Sequence, residues 1–285
     1  MKKIAIIIFS VLSVVSLCAC GSSSATAGQS WAHSEELLYE IYDDIQDDGN
    51  EANDVSVGDA RFVTKSSIAN DEKTDLPENI RSYASSADTK VTTNITINEK
   101  YDINTVYYSK VYRVLASVRR YHDVTDSSKD YVLTSYHEGK YYHYTLSYPN
   151  NDKIADKSGK LKVGSSGYTE YEFLYFYIRC NDVSSLQSSA KTVNPFTDSV
   201  YSLTCQSAAD ASVTTKSSLG TVACNTVTIN NSDTPVGKGI TVYYLPDKSP
   251  YNSYGDGSII KSKKIPTKIV ENNLTYTLKS FSAGA

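Results

Sequence analysis

Apolar and polar residues alternate over many short stretches of this chain, and this alternation restricts the fold more than any other feature. From Val91 to Asn98, every second residue is Val, Thr or Ile, and the residues between them are Thr or Asn. Successive side chains of a β-strand point to opposite faces, so a period of two predicts a strand. The chain also holds 24 tyrosines, and aromatic and β-branched residues suit the half-buried surface of a sheet. The sequence therefore predicts a mainly β fold.

Turn residues divide the chain into many short strands. The clearest hairpin is predicted over 131–148, where Gly139 supplies the positive φ of a tight turn. A second hairpin is predicted to turn at Asn272 and Asn273. Shared parity over 108–118 predicts one continuous strand there. Further strands are predicted at 37–42, 60–65, 198–205, 221–229, 239–245, 265–271 and 274–281. Many short strands separated by turns favour an antiparallel barrel or sandwich.

One segment follows a helical period. Between Tyr168 and Ile178 the apolar residues at 171, 174, 175 and 178 are spaced as on one face of a helix. A buried strand remains the alternative, because Phe173, Tyr175 and Tyr177 also alternate. Two polar stretches, 66–90 and 246–258, are predicted to be long loops.

The N-terminus resembles the signal of bacterial lipoproteins. Two lysines precede the apolar stretch Ile4–Leu17, which is too short to span a membrane and suits a secretory signal. The sequence Leu17-Cys18-Ala19-Cys20 is similar to the lipobox at which such chains are cut and acylated. The resemblance implies that Cys20 carries a diacylglycerol (and palmitate), and that Cys18 leaves with the signal. Two acyl chains hold a protein stably on a membrane.

Three parts of the chain follow from this interpretation. Residues 1–19 are the signal peptide, 20–30 a flexible tether of small polar residues, and 31–285 one mostly-β extracytoplasmic domain. We expect the protein on the outer face of the cell membrane, with the lipid on Cys20 as its link to the membrane. Loss of the signal removes two lysines and no acid, which makes the formal charge of −4 more negative. This balance argues against a nucleic-acid partner, and the sequence leaves the oligomeric state open.

No motif for catalysis, a metal or another cofactor stands out. His137 and His143 flank the hairpin turn, but the tight ligand spacings of zinc sites are missing from the sequence. No nucleophile elbow occurs either, so we expect a protein that is not an enzyme. An exported protein can form disulfides, and Cys205 and Cys224 lie in neighbouring predicted strands. A disulfide between them is predicted; the alternative is three buried free thiols, with Cys180 the third.

The C-terminal part resembles a known family. The segments Gly239–Asp247, Lys264–Val270 and Leu274–Leu278 are similar to the closing strands of bacterial unclosed β-barrel proteins, among them the LolA-like lipoprotein carriers. The resemblance implies a curved antiparallel sheet, an unclosed barrel, with one or two helices packed on its concave side. It also implies an apolar concave face, since those relatives bind acyl chains or lipoproteins there. A β-sandwich is the alternative fold.

Two functions follow as expectations. The first is a lipid-anchored protein that binds a lipid or other hydrophobic ligand without catalysis, because apolar grooves hold apolar ligands. The second is a surface protein for cell-surface interactions or carbohydrate binding that uses exposed tyrosines. An envelope hydrolase is a third, weaker alternative. The residues expected to face the apolar groove are Tyr112, Val114, Leu133, Tyr144, Leu146, Leu174 and Ile178.

Overall fold

A computed structural model describes residues 34–44, 54–164, 168–180, 190–232, 239–246, 249 and 264–284. The strands are β1 (Ser34–Asp43), β2 (Val55–Ser66), β3 (Ala87–Ile97), β4 (Lys100–Ser109), β5 (Val114–Asp123), β6 (Tyr131–Glu138), β7 (Tyr141–Ser147), β8 (Lys157–Lys162), β9 (Lys191–Asn194), β10 (Ser199–Thr214), β11 (Thr221–Asn231), β12 (Ile240–Tyr244), β13 (Pro266–Glu271) and β14 (Leu274–Gly284). The α-helices are α1 (Glu78–Arg81) and α2 (Leu174–Cys180), and single 3₁₀ turns cover Asp71–Lys73, Ser82–Ala84, Ser127–Lys129 and Tyr171–Phe173.

The described strands form one antiparallel sheet that curves into a nearly closed barrel. From edge to edge the order runs from β8 back to β1, then from β14 back to β9. The two edges meet at a seam, where Lys157 Nζ on β8 lies 2.7 Å from Asp198 Oδ2 and donates to the Pro195 carbonyl at 3.0 Å. The predicted curved antiparallel sheet, an unclosed barrel, is confirmed.

Antiparallel pairing fixes which strand ends lie together. One end, called the mouth, carries the β3–β4 turn at Asn98 and Glu99 and the β13–β14 turn. The other end, called the base, carries the β6–β7 turn at Gly139. Ser34 pairs with Gly284 at the base, so the described chain begins and ends there. The mouth is therefore the end furthest from both termini of the barrel.

Helix α2 fills the centre of the barrel. All seven of its residues are buried. Tyr175 stacks on Phe62 of β2 with ring centroids 4.5 Å apart, and Phe176 packs against Tyr108 of β4 at 5.0 Å. The sequence-based helix is confirmed, but α2 has no solvent-facing side because strands surround it. A helix that is apolar on every side suits this buried place.

The base end of α2 is fixed by a buried ion pair. Arg179 donates through Nη1 to Glu35 Oε1 at 2.6 Å and through Nη2 to Glu35 Oε2 at 2.8 Å. Both side chains are almost fully buried. A bidentate pair of this kind fixes the relative orientation of the guanidinium and the carboxylate as well as their distance. It therefore connects the end of the helix to the first strand.

The segment 66–90 is not the long loop that the sequence predicted. It folds into α1 and two 3₁₀ turns, and Leu76 and Ile80 are buried against Tyr107 and Val118. Tyr107 pairs with Ala116 at a point where the register shifts. This second, smaller core lies on the outer face of the sheet. Of the two α-helices in the described residues, α2 therefore occupies the concave side and α1 packs on the convex side.

The predicted continuous strand over 108–118 is also wrong. The chain turns between β4 and β5, and the Ser109 amide donates to the Arg113 carbonyl at 2.9 Å. Tyr112 takes a positive φ of 54° in this turn. The register shift that follows places Val114 opposite Tyr108 and Ala116 opposite Tyr107. This β-bulge exchanges the inward and outward faces of β5 relative to a regular strand.

The remaining predicted strands and both hairpins are confirmed, but the strand predicted over 198–205 extends to Thr214 and the one predicted over 60–65 begins at Val55. Much of the predicted 246–258 loop, and residues 1–33 with the signal and tether, lie outside the described residues. Within the described ranges, no helix is both long enough and apolar enough to cross a membrane.

Candidate functional site

A cavity of about 270 Å³ opens at the mouth of the barrel. Its walls come from β4, β5 and β6 on one side and from β9, β10 and β11 on the other. The segment that leads into α2 forms its floor. The lining residues are Asn104, Ser117, Arg119, Leu133, Glu170, Tyr171, Glu172, Thr192, Val193, Asn194, Pro195, Phe196, Tyr201 and Asn231.

Arg119 is held between two carboxylates. Its Nε donates to Asp102 Oδ1 at 3.0 Å and its Nη2 to Asp102 Oδ2 at 2.6 Å, while Nη1 pairs with Glu172. Burial opposes the guanidinium charge, but Glu172 and Asp102 outweigh it and raise the pKa of Arg119. The guanidinium also lies 5.8 Å from the ring centroid of Tyr131. Its charge is therefore already neutralised within the protein.

Glu170 is a buried carboxyl group in the wall of the cavity. Its Oε1 accepts from Ser117 Oγ at 2.9 Å and from Ser135 Oγ at 3.2 Å. Burial, with a smaller contribution from the nearby Glu172 charge, raises the pKa of Glu170 to about 7. Among the described residues no cation contacts it. Glu170 therefore changes its charge near neutral pH.

A second carboxyl group behaves in the same way. Glu271, the last residue of β13, is hydrogen-bonded by the Tyr171 hydroxyl, and burial followed by the Glu172 charge raises its pKa to about 7. It lines a neighbouring cavity of about 350 Å³. That cavity shares Arg119, Tyr171 and Glu172 with the first, so the two form one acidic mouth. Its lining residues are Ile95, Ile97, Lys100, Asp102, Arg119, Tyr121, Tyr171, Glu172, Glu271 and Tyr276.

Two buried polar atoms in the 270 Å³ cavity make no hydrogen bond with any described residue. They are Asn104 Oδ1 on β4 and Thr192 Oγ1 on β9, and both side chains are at least 97% buried. More than nine in ten buried polar groups in proteins have a partner. The pair therefore offers two hydrogen-bonding positions to a molecule in the cavity.

Aromatic and aliphatic side chains complete the walls. Tyr171 and Tyr201 line the cavity, and Phe196 stands at its rim, 41% exposed, with its ring edge-on to Tyr131 at 5.1 Å. Below the mouth, a small apolar cavity of about 50 Å³ reaches toward α2. Its walls include Phe62, Ile95, Leu174, Tyr175, Ile240, Ile269 and Tyr276. The site therefore combines hydrogen-bonding groups with apolar surface, as small-molecule sites do.

The seven residues expected to face an apolar groove do not share one place. Leu133 lines the mouth cavity and Leu174 the 50 Å³ cavity. Tyr112 lies in the β4–β5 turn with its ring edge-on to Phe176 at 6.0 Å. The remaining residues, Val114, Tyr144, Leu146 and Ile178, pack in the core around α2.

Sequence reasoning missed the polar residues of the mouth. The signal that could have found them is a polar side chain at an inward strand position, as at Asp102 and Asn104 on β4. On β5 the bulge hides this signal, because it turns Ser117 and Arg119 inward. Glu170 lies outside any strand, so no period marks it.

The predicted Cys205–Cys224 disulfide is wrong. Cys205 lies opposite Ile229 and Cys224 opposite Ala211 in the β10–β11 ladder. The two positions are therefore about 16 Å apart along the strands at about 3.3 Å per residue, whereas a disulfide needs Cα atoms within about 7 Å. Both are buried free thiols, as is Cys180. Burial raises the pKa of Cys205 to about 11, which makes it a poor nucleophile.

The two histidines of the β6–β7 hairpin lie on opposite faces of the sheet. His143 stacks on Tyr136 at 4.6 Å, and His137 stacks on Tyr168 at 5.1 Å. His143 lies opposite Tyr136 in the ladder, and His137 lies opposite Tyr142 in the next pair. Neighbouring pairs of a ladder point to opposite faces of the sheet. Within the described ranges, no group of three acidic, His or Cys side chains is placed to hold a metal ion.

Among solved structures, the chain is similar to a barrel-like protein. The similar structure is the crystal structure of a beta-barrel-like protein of domain of unknown function DUF1849 from Brucella abortus. The two chains are 11% identical, the match covers 89% of this chain and 99% of the other, and the TM-score is 0.46. No family model matches the sequence. No curated protein matches it either.

Proposed function

We propose that this protein is a lipid-anchored extracytoplasmic binding protein that holds a small amphipathic ligand at the mouth of its barrel, without catalysis. One observation carries the proposal: Asn104 and Thr192 place buried, unpartnered polar atoms in the wall of a 270 Å³ cavity. A molecule that hydrogen-bonds to both atoms removes their desolvation cost, which is about 1–3 kcal/mol for each buried group left unsatisfied.

The walls of the cavity favour a ligand with a flat apolar body. Phe196, Tyr171 and Tyr201 offer ring faces or edges, and Leu133 and Val193 add aliphatic surface. Aromatic pairs contribute about 0.5–1.5 kcal/mol beyond the area that they bury. A ligand with one aromatic ring and one polar group therefore matches both parts of the site.

The volumes argue against a long acyl chain as the occupant. The apolar cavity beside α2 measures about 50 Å³, whereas a cavity of about 150 Å³ is known to hold a single benzene. The expected apolar groove is occupied by α2, whose residues are all buried. A lipid carrier is the second candidate, and it requires α2 to leave the centre of the barrel.

The position of the proposed anchor suits a ligand from outside the membrane. The described chain begins at the base with Ser34, and Cys20 lies 14 residues before it in the sequence. The chain that follows an acylated Cys20 therefore enters the barrel at the base. The mouth, at the opposite end, is the more accessible end for a water-soluble ligand.

The test measures binding to the lipidated protein, purified from membranes and placed in lipid nanodiscs. The probes are three phenylethyl compounds that differ in their polar group, namely phenethylammonium, 2-phenylethanol and phenylacetate, together with palmitate. Isothermal titration calorimetry is used, with heats from empty nanodiscs subtracted. Leu133→Phe fills the cavity, and we expect it to weaken the best phenylethyl probe at least about tenfold, or 1.4 kcal/mol.

The matched control is Thr134→Phe. Residue 134 is the next residue on β6 and faces the outer side of the sheet, so binding should stay within about twofold of wild type. If no phenylethyl probe binds, or if both variants behave alike, the mouth is not the binding site. Binding of palmitate alone, unchanged by Leu133→Phe, contradicts the proposal and favours the lipid carrier.

A further inference from the structure

The mouth of the barrel carries more negative than positive charge. Four carboxyl groups line its two main cavities, namely Asp102, Glu170, Glu172 and Glu271. Two cations face them, Arg119 and the exposed Lys100. Asp102 and Glu172 are both used by Arg119. Glu271 is attracted by Arg119 as well, so Glu170 is the one of the four left without a cation among the residues that the structure describes.

The polar atoms free in the cavity include hydrogen-bond acceptors. Asn104 Oδ1 is an amide oxygen and accepts only, and Thr192 Oγ1 can accept or donate. Glu170 lines the same cavity, and its carboxylate accepts only when ionised. A primary ammonium group carries three N–H donors and no acceptor. Its hydrogen-bonding capacity is therefore complementary to these three groups.

We infer that the ligand of the mouth cavity is an amphipathic primary amine, with its ammonium group beside Glu170, Asn104 and Thr192 and its apolar body against the aromatic wall. This inference rests on the proposed function and names the chemical class of its ligand. A bound ammonium supplies the positive charge that Glu170 lacks, and charge-assisted hydrogen bonds are roughly twice as strong as neutral ones. The aromatic rings add attraction for a cation over their faces.

The inference predicts a definite pH dependence. Glu170 has a pKa of about 7, and the titratable groups around it are Glu172 on its own segment, Tyr108 of β4, Tyr142 of β7 and Tyr168. The three tyrosines stay protonated near neutral pH, because burial raises the pKa of each. Glu271, with Glu172, Tyr171 and Arg119 around it, titrates in the same range. Affinity for the ammonium should therefore rise about tenfold from pH 6 to pH 8 as Glu170 ionises.

The experiment compares the three phenylethyl probes on the same nanodisc-bound protein at pH 6, 7 and 8. We expect phenethylammonium to bind most tightly at pH 8, with phenylacetate weakest. Glu170→Gln keeps the shape and an acceptor oxygen but removes the charge. It should lower phenethylammonium affinity at pH 8 at least about tenfold, flatten its pH profile and leave 2-phenylethanol within about twofold.

Glu78→Gln is the matched control, because Glu78 is an exposed residue of α1 outside the barrel; it should change nothing. Tighter binding of 2-phenylethanol or phenylacetate, still lost in Leu133→Phe, overturns the amine inference and leaves the proposed function standing. Phenethylammonium binding that is independent of pH and of Glu170 also overturns the amine inference and leaves the proposed function standing. Loss of all binding in every arm overturns both.

Discussion

At the scale of single residues, the carboxyl groups of the mouth differ in the groups that stabilise their negative charge. Asp102 and Glu172 share one guanidinium, which offsets one of their two negative charges. Glu170 accepts from the hydroxyl groups of Ser117 and Ser135, and the Tyr168 hydroxyl also lowers its pKa. Hydroxyl donors offset part of the cost of burial, and the rest appears as a pKa of about 7. A buried acid of this kind lowers stability, and such groups are concentrated at functional sites of proteins.

The cost of Glu170 can be measured through its pH dependence. Its pKa rises from 4.5 in the unfolded chain to about 7 in the folded protein, so it destabilises the fold progressively from pH 4.5 to pH 7. Above pH 7 the full cost is about 3 kcal/mol. Glu170→Gln removes this term, so the variant should gain that amount relative to wild type between pH 4.5 and pH 8.

Urea unfolding at the two pH values provides the measurement, and Glu78→Gln is the control that should show no such gain. An equal difference between Glu170→Gln and wild type at both pH values contradicts the expected titration. This stability measurement needs no ligand, and it therefore tests the environment of Glu170 independently of binding.

At the scale of elements, α2 decides how the inside of the barrel is used. A barrel of this kind could enclose an open apolar cavity, but the helix brings seven buried side chains into the centre. It is fixed at the base by Arg179 and Glu35, and its first turn follows Glu170 and Tyr171 at the mouth. The helix thus closes the interior and also presents the acidic residues of the site.

Breaking the Arg179–Glu35 pair should loosen this helix. Glu35→Gln leaves a buried guanidinium without its charge partner, and we expect a loss of about 3 kcal/mol of unfolding free energy. The double variant Glu35→Gln with Arg179→Met should recover part of that loss, because it removes the uncompensated charge. Chemical denaturation of the three proteins supplies the values.

Glu36→Gln is the matched control for this comparison. Glu36 is the next residue on β1 and forms a largely exposed pair with Arg61 at 2.5 Å, and such pairs contribute about 0–1 kcal/mol. A Glu35→Gln variant no less stable than Glu36→Gln shows that the buried pair does not hold α2.

At the scale of the whole molecule, the barrel has two different ends. The base holds both termini of the described chain and the Arg179–Glu35 pair, and the mouth holds the cavities and the acidic residues. A seam closed by Lys157 and Asp198 joins the two edges of the sheet. The proposed anchor at Cys20 precedes the base in the chain, so the proposed membrane attachment and the proposed ligand site belong to different ends of the barrel.

The anchor itself is tested by two neighbouring cysteines. Cells that express the protein are fed an azide-labelled palmitate, and the protein is examined for the label and for its release from membranes. Cys20→Ala should lose the label, because the acylated thiol is gone, and Cys18→Ala should keep it. Equal labelling of both variants shows that Cys20 is not the acylated residue.

The sequence by itself determined the mainly β antiparallel fold, because a period of two along a strand survives in any sheet with two different faces. It also favoured a helix between Tyr168 and Ile178, because the apolar residues at 171, 174, 175 and 178 share one helix face, with a buried strand as the alternative. Only the tertiary structure decided which polar residues meet at the mouth. Glu170 lies 53 residues from Ser117 and 35 from Ser135. The alternation along a strand predicts which face of the sheet a residue lies on, but it does not predict which distant residue it contacts.

The bulge in β5 shows the physical reason most clearly. In a regular strand Ala116 and Val118 would share the inward face with Val114, and Arg119 would point outward. One extra residue opposite Tyr107 and Tyr108 reverses this, since a shift of one residue exchanges the two faces. On the outer face, Ala116 and Val118 pack in the core that includes Ile80 of α1. On the inner face, Arg119 pairs with Glu172. These two contacts offset the cost of the bulge. Those contacts exist only once the barrel has formed.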